Sequence, residues 1–199
     1  MTTQPLNKHL NKPLITHLLP VTHPILKPLL QVGLGVIFLA LLAQVRLELG
    51  PVPLTGQTLG VLLIGATYGL SLGALTLVSY LIVGGLGLSV FAGGAAGWSV
   101  LSGTTAGYLF GFVLAAAVVG YLAQRGWDRH VGLAALAMLI GNIIIYVPGL
   151  LWLNTFAPDT VTALQWGLIP FIPGDIIKLI LAAGLLPTAW QLLGRSSRK

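Results

Sequence analysis

The chain has 199 residues, 56% of them hydrophobic and only 7% charged, with a mean hydropathy of +0.94, a formal net charge of +6 and an isoelectric point near 10.0. A soluble domain carries about 25% charged residues, so this composition excludes one and indicates an integral membrane protein. Having no cysteine, the chain can form no disulfide, thiolate metal ligand or cysteine nucleophile; its basic residues are not clustered with aromatics, so the excess reads as membrane sorting and not as nucleic-acid binding.

In chain order, residues 1–28 are polar and dotted with Pro and His. They lack the apolar stretch of a cleavable signal and read as a cytoplasmic N-terminal segment. A spanning helix needs about 20 apolar residues, and six candidate spans follow within one transmembrane domain, residues 29–193. The first, 29–45, ends at Arg46-Leu47-Glu48. The second starts at Thr58, after Pro51-Val52-Pro53, and ends at Tyr68-Gly69. It is short, so part of its backbone is expected to pack on protein and not on lipid. The third covers 72–88 and leads into a glycine-rich connection, 91–103. The fourth, 105–123, stops at Arg125-Gly126-Trp127-Asp128-Arg129, and the fifth, 132–153, is expected to be interrupted at Pro148-Gly149. The sixth covers 174–193, and a basic cytoplasmic tail, 194–199, closes the chain. The fold class is therefore an all-α membrane protein of six transmembrane helices.

Charge supports that count. Six spans put both ends of the chain on one side, together with Lys8, Lys12, Lys27, Arg125, Arg129, Arg195, Arg198 and Lys199, eight of the ten basic residues. The positive-inside rule makes that side cytoplasmic. One span more or fewer would scatter these charges. The connections at 50–57, 91–108 and 154–175 then face outward.

Four constellations carry polar chemistry on or near that outer side. Asp175 and Lys178 stand three residues apart at the start of the last span. A charge at the centre of a spanning helix costs about 2.5–3.5 kcal/mol on insertion scales and is usually kept for function. Two readings stay open: a capping Asp with a snorkelling Lys, or a ligand site in which Lys178 meets an acceptor and Asp175 orients it. Asn142 is the one amide of the fifth span, with Tyr146 at i+4 on the same face. Such an amide either joins helices or offers a ligand both donor and acceptor. Phe91-Ala92-Gly93-Gly94-Ala95-Ala96-Gly97-Trp98 reads either as an interfacial turn or as a cover whose Phe91 and Trp98 close a pocket, with Tyr108 as a further wall; Thr104 is a candidate cap for the fourth helix. Pro51 to Thr58 reads as a turn capped by Thr55 or Thr58, or as a gate carrying Thr55 and Gln57. Catalytic readings do worse. His9, His17, His23 and His130 lack metal-ligand spacing, the four acids form no pair, and there is no nucleotide-binding loop. No cofactor and no enzymatic activity are expected.

The ordered set Pro51-Val52-Pro53-Leu54-Thr55-Gly56-Gln57-Thr58, Phe91-Ala92-Gly93-Gly94, Ala106-Gly107-Tyr108, Gly141-Asn142 with Tyr146, and Pro173-Gly174-Asp175-Ile176-Ile177-Lys178 resembles the BioY family, the biotin-binding S components of energy-coupling-factor vitamin transporters. The resemblance runs over about 29–193. It implies an S-component fold, high-affinity biotin binding, and uptake across a bacterial cytoplasmic membrane powered by separate ATPase subunits through a transmembrane coupling subunit. It also implies that Asp175 and Lys178 match the family's polar pair, Asn142 and Tyr146 its fifth-helix motif, and Phe91, Gly93 and Gly94 the connection that covers the pocket. The chain departs from the family pattern in reading Gly103-Thr104-Thr105 where Gly-Pro-Thr is usual, and in lacking a regular alanine spacing among Gly33, Gly35, Ala40 and Ala43 of the first helix. The rival expectations are an S component for another vitamin, such as thiamine or riboflavin, and a membrane scaffold subunit.

Overall fold

The computed structural model describes residues 13–18 and 23–196. Lys8, His9, Lys12, Arg198 and Lys199, and the side chains of His17 and Arg195, lie outside that description. The helices are α1 (Ile15–Leu18), α2 (Leu26–Gln44), α3 (Gln57–Gly85), α4 (Trp98–Leu101), α5 (Ala106–Gln124), α6 (Val131–Leu153), α7 (Thr160–Gly167) and α8 (Ile172–Ser196). Single 3₁₀ turns cover Ala92–Gly94, Trp127–Arg129 and Ile169–Phe171. The chain is all-α, with one short pair of strands in a connection. Strands β1 (Arg46–Leu47) and β2 (Leu54–Thr55) pair antiparallel, Arg46 opposite Thr55, across the proline-stiffened connection.

Among the described residues, five helices are long and apolar enough to cross a membrane, and α3 is folded in two. At Gly69 the backbone takes φ +78° and ψ −179°, a region open essentially to glycine alone. The fold is visible in side-chain contacts. Gln57 Nε2 donates to Tyr80 Oη at 2.8 Å, whereas 23 residues of straight helix would hold them about 34 Å apart. The two arms, residues 57–68 and 70–85, are thus the second and third spans, and the bundle crosses six times. Both arms are shorter than a full bilayer span. They are accommodated because α3 lies largely inside the bundle, packed on α2 and α5.

Between helices in lipid there is little hydrophobic drive, so close packing of small residues takes over. On α5, a Cβ at Gly120 would lie 2.4 Å from the carbonyl carbon of Gly69, and one at Gly111 would lie 3.0 Å from Cα of Ile145 on α6. The same closeness explains a correction on the fifth span. No interruption occurs at Pro148; α6 runs unbroken through it. Its ring lies against Gly111 and its carbonyl against Gly107, so neighbouring protein accommodates the proline.

The connections gather at two ends. At one, Pro13 lies against Gly69, Gln31 donates to the Ile15 carbonyl at 3.4 Å, and Trp190 of α8 donates through Nε1 to Oδ2 of buried Asp128. Burial pushes the Asp128 carboxyl above its usual range, against the opposing pull of that hydrogen bond and of Arg129. At the other end, the β1–β2 hairpin, the α3–α5 connection and α7 form a layer over the bundle. The expected Thr104 cap is absent; its hydroxyl instead donates to the Pro51 carbonyl at 2.9 Å, joining two parts of this layer. Trp152 Nε1 adds a bond to the Gly103 carbonyl, also at 2.9 Å. Asp159 caps α7 by accepting from the Thr162 N–H at 2.8 Å.

The hairpin at Gly69 makes a direct prediction. Gly69→Ala forces a disfavoured backbone region and brings Cβ to 2.8 Å from Gln124 Nε2. It is expected to cost about 1–3 kcal/mol and to lower the Tm of the purified protein in detergent. Gly33→Ala, at a lipid-facing position with no neighbour within 4 Å, leaves Tm near wild type.

Candidate functional site

Beneath the layer formed by the β1–β2 hairpin, the α3–α5 connection and α7 lies a cavity of about 310 Å³. Its walls come from the hairpin and the start of α3 (Val52, Pro53, Thr55, Gln57, Thr58), from the α3–α5 connection (Phe91, Ala92, Ala95, Ser99) and from α5 and α6 (Tyr108, Leu109, Phe112, Ile145, Tyr146). Phe171 and Lys178 close it from the α8 side. The lining is mostly apolar, and Lys178 is its one charged residue.

Lys178 is held by three acceptors. Its Nζ donates to the Thr55 carbonyl at 2.8 Å, to Thr58 Oγ1 at 2.8 Å and to Asp175 Oδ1 at 3.2 Å. An ammonium has three N–H donors, so each is matched. The pair is well shielded, with side-chain exposures of 15% for Lys178 and 9% for Asp175. One turn of α8 brings the two together, as the i,i+3 spacing requires. The other Asp175 oxygen, Oδ2, accepts from the Tyr146 hydroxyl of α6. Tyr146 meets Tyr108 edge to face, ring centres 6.2 Å apart, and the Tyr108 hydroxyl donates to the Gly167 carbonyl at 2.9 Å. A seam of polar bonds, bridged at one point by the Tyr146–Tyr108 ring contact, therefore runs from α3 through α8 and α6 to α5 and α7.

The expected residues separate into those at the cavity and those that are not. Thr55, Gln57, Phe91, Tyr108, Tyr146 and Lys178 line it. Asp175 stands behind Lys178 and Tyr146, outside the lining, and fixes both. Gly93 and Gly94 have φ of +68° and +74° and shape the turn that points Phe91 and Ala92 inward; neither lines the cavity, and Gly93 lies under the Arg46 guanidinium. Two expectations are corrected. Trp98 is no wall of this cavity: it is 72% exposed and lines a separate apolar groove with Val78, Ile82, Leu101 and Phe110. One turn of α4 carries it to the outer surface of the bundle. Asn142 is buried but does not line the cavity. Four residues of helix set it about 6 Å deeper than Tyr146, and its Oδ1 has no hydrogen-bond partner among the described residues.

Thr58 and Phe171 are contributors that the sequence reading did not assign to the site. Thr58 carried a signal, as a hydroxyl one turn into an apolar span, but capping accounted for it equally well. Phe171 carried none.

A family model described as the BioY family matches residues 11–195. The chain is 37% identical over 162 residues to a protein of Thermotoga maritima named biotin transporter BioY, covering 79% of this chain and 92% of that one. It is 35% identical over 168 residues to the biotin transporter BioY of Rhizobium etli, covering 81% and 86%. Among solved structures, the S-component for biotin from an ECF-type ABC transporter superposes with a TM-score of 0.76 at 24% identity, over 86% of this chain and 95% of that one. That likeness establishes the fold.

The shielded pair predicts an asymmetry in stability. Asp175→Leu leaves the Lys178 ammonium without its counter-charge and the Tyr146 hydroxyl without its acceptor, and is expected to destabilise by about 3–5 kcal/mol. The double variant Asp175→Leu/Lys178→Met removes both charges and recovers most of that loss. Thermal unfolding in detergent of the two variants beside wild type checks it.

Proposed function

As the chain belongs to the BioY family, we propose that the cavity beneath the outer connections is its biotin-binding site. The chain is a multi-pass membrane protein, the biotin S component of an energy-coupling-factor transporter, and is not an enzyme. The observation that carries the assignment of the site is the cavity itself: mostly apolar walls around one cation. Biotin joins a polar ureido ring and a carboxylate to an apolar bicycle and chain. Such a ligand suits a pocket that is largely apolar with a few fixed polar groups. A volume of about 310 Å³ lies at the small end of ligand pockets, about 300–1,000 Å³, which favours a compact vitamin.

In this reading the Lys178 ammonium exchanges one of its three protein acceptors for the ligand, Thr55 and Gln57 offer further polar contacts, and Phe91, Tyr108, Phe112 and Tyr146 supply walls. Asp175 holds Lys178 and Tyr146 in place from behind. Asn142 acts below the pocket, where its unpaired acceptor suits a bridging water or a deeper-reaching ligand group. The turn at Phe91–Gly94 covers the bound vitamin. The protein works in the bacterial cytoplasmic membrane with both termini in the cytoplasm, so that biotin enters from outside. Release to the inside is driven by a transmembrane coupling subunit and ATPase subunits, which carry the ATP chemistry, and this chain needs no cofactor of its own.

Isothermal titration of the purified protein tests the reading. Saturable binding of biotin at one per chain is expected, with thiamine and riboflavin failing to compete. Lys178→Ala should weaken biotin binding by about thirtyfold or more, the scale of about 2–5 kcal/mol for truncating one side of a buried charge pair. Absence of saturable biotin binding by wild type, or preference for another vitamin in the competition panel, would overturn it.

A further inference from the structure

Tyr80, on the second arm of α3, is completely buried and does not line the cavity. A tyrosine in such a place needs partners for its hydroxyl, and both of its partners belong to the architecture of the pocket. On one side Gln57 Nε2 donates to Tyr80 Oη at 2.8 Å, and Gln57 lines the cavity. On the other, the Tyr80 hydroxyl donates to the carbonyl of Val90 at 2.8 Å. Val90 immediately precedes Phe91, the aromatic cover. The Tyr80 ring also meets the Phe91 ring edge-on at 5.4 Å, and Phe91 is seated so closely on Gly84 that a Cβ there would fall 2.2 Å from its Cζ.

The chain of bonds extends further. Thr55 Oγ1 donates to Gln57 Oε1 at 3.0 Å, and the Thr55 carbonyl accepts from Lys178 Nζ at 2.8 Å. Donors and acceptors alternate without a conflict: ammonium to the Thr55 carbonyl, Thr55 hydroxyl to amide oxygen, amide N–H to phenol oxygen, phenol hydrogen to the Val90 carbonyl. The polar floor of the cavity and the backbone of its cover are therefore parts of one buried network, and Tyr80 is the member through which they meet.

We infer that Tyr80 is a positioning residue that couples the cavity-lining Gln57 to the Phe91 cover, so that the ligand's polar contacts and the closed cover stabilise each other. The inference rests on the reading of this cavity as the biotin site. A cover held by its backbone carbonyl is pre-organised over the pocket. Losing that anchor affects escape of the ligand more than its arrival, because association passes through the open form in either case.

The test uses Tyr80→Phe, which keeps the edge-on ring contact and deletes both hydroxyl bonds, together with Ala92→Cys as a reporter on the cover. The chain has no cysteine, so the reporter thiol is unique. In Tyr80→Phe, biotin is expected to dissociate about tenfold faster while its association rate stays within about twofold of wild type. Without ligand, Ala92→Cys should react with a thiol reagent about tenfold faster in the Tyr80→Phe background. Gln57→Met cuts the network on the cavity side but leaves Tyr80 bonded to Val90; it should keep the ligand-free reactivity of Ala92→Cys and lose most of the protection that saturating biotin gives. Wild-type dissociation and labelling rates in Tyr80→Phe would overturn the inference. Full biotin protection in Gln57→Met would overturn it as well, and that variant decides the matter where Tyr80→Phe does not fold. Failure of wild type to bind biotin counts against the proposed function, while the ligand-free labelling still tests the coupling of Tyr80 to the cover.

Discussion

Lys178 is one cation that joins three parts of the molecule. Its ammonium takes the Thr55 carbonyl at the end of the β1–β2 hairpin, the Thr58 hydroxyl in the first turn of α3 and the Asp175 carboxylate on its own helix. Removing one partner of such a pair from a low-dielectric setting is far more costly than never having had the pair. The placement of α8 against α3 and α6 therefore depends on all the acceptors being present at once. The same requirement keeps the cavity open. Apolar side chains alone would close over the space, whereas a charged group whose three donors are matched from fixed directions holds its surroundings apart.

Much of this was legible in the sequence because charge is so rare in it. With ten basic and four acidic residues, a charged pair inside an apolar segment stands out; of that pair Lys178 lines the cavity and Asp175 holds it from behind. The spans were legible for the same reason, as apolar runs broken by Pro, Gly and Arg. The direction in which each helix faces was less so. In a soluble protein an amphipathic period separates inside from outside, but here lipid and core are both apolar. Ile143, at 53% exposure, and Ile145, wholly buried, are the same residue type two places apart on α6. Trp98 and Asn142 were misplaced on that account: their chemistry was readable, but their azimuth and depth were not. Pro148 was misjudged for a related reason. Its effect depends on Gly107 and Gly111, which lie about 40 residues away in sequence and about one atom away in space.

The outer connections gain their order from polar contacts between segments distant in sequence. Thr104 reaches Pro51, Trp152 reaches Gly103 and Gln44 reaches the Phe91 carbonyl, the last at 3.2 Å. The Thr104 hydroxyl supplies a donor to the Pro51 carbonyl, while the Gly103 and Phe91 carbonyls take their side-chain donor in addition to the backbone N–H of Ala106 and of Gly94, as irregular backbone near membrane depth requires. The glycines at 93 and 94 permit the turn, but these side-chain donors give it a position.

Helix α8 illustrates how the bundle holds an element that has little of itself buried. Ile176, Ile177, Ile180, Leu181, Leu185 and Leu192 are all exposed along it, and in lipid such surface gives no drive toward the bundle. Ala182, Ala183 and Leu186 provide a narrow packed seam in the middle. Towards each end stands a polar fastening: Asp175 and Lys178 at the cavity end, and at the opposite end Trp190, which donates to Asp128 while the Arg129 guanidinium lies 4.6 Å from the centre of its ring. Because apolar contact with neighbours is nearly interchangeable with apolar contact with lipid, these two fastenings set where the helix sits. The first of them also supplies the cavity's cation, so the position of α8 and the shape of that part of the cavity wall rest on one set of bonds.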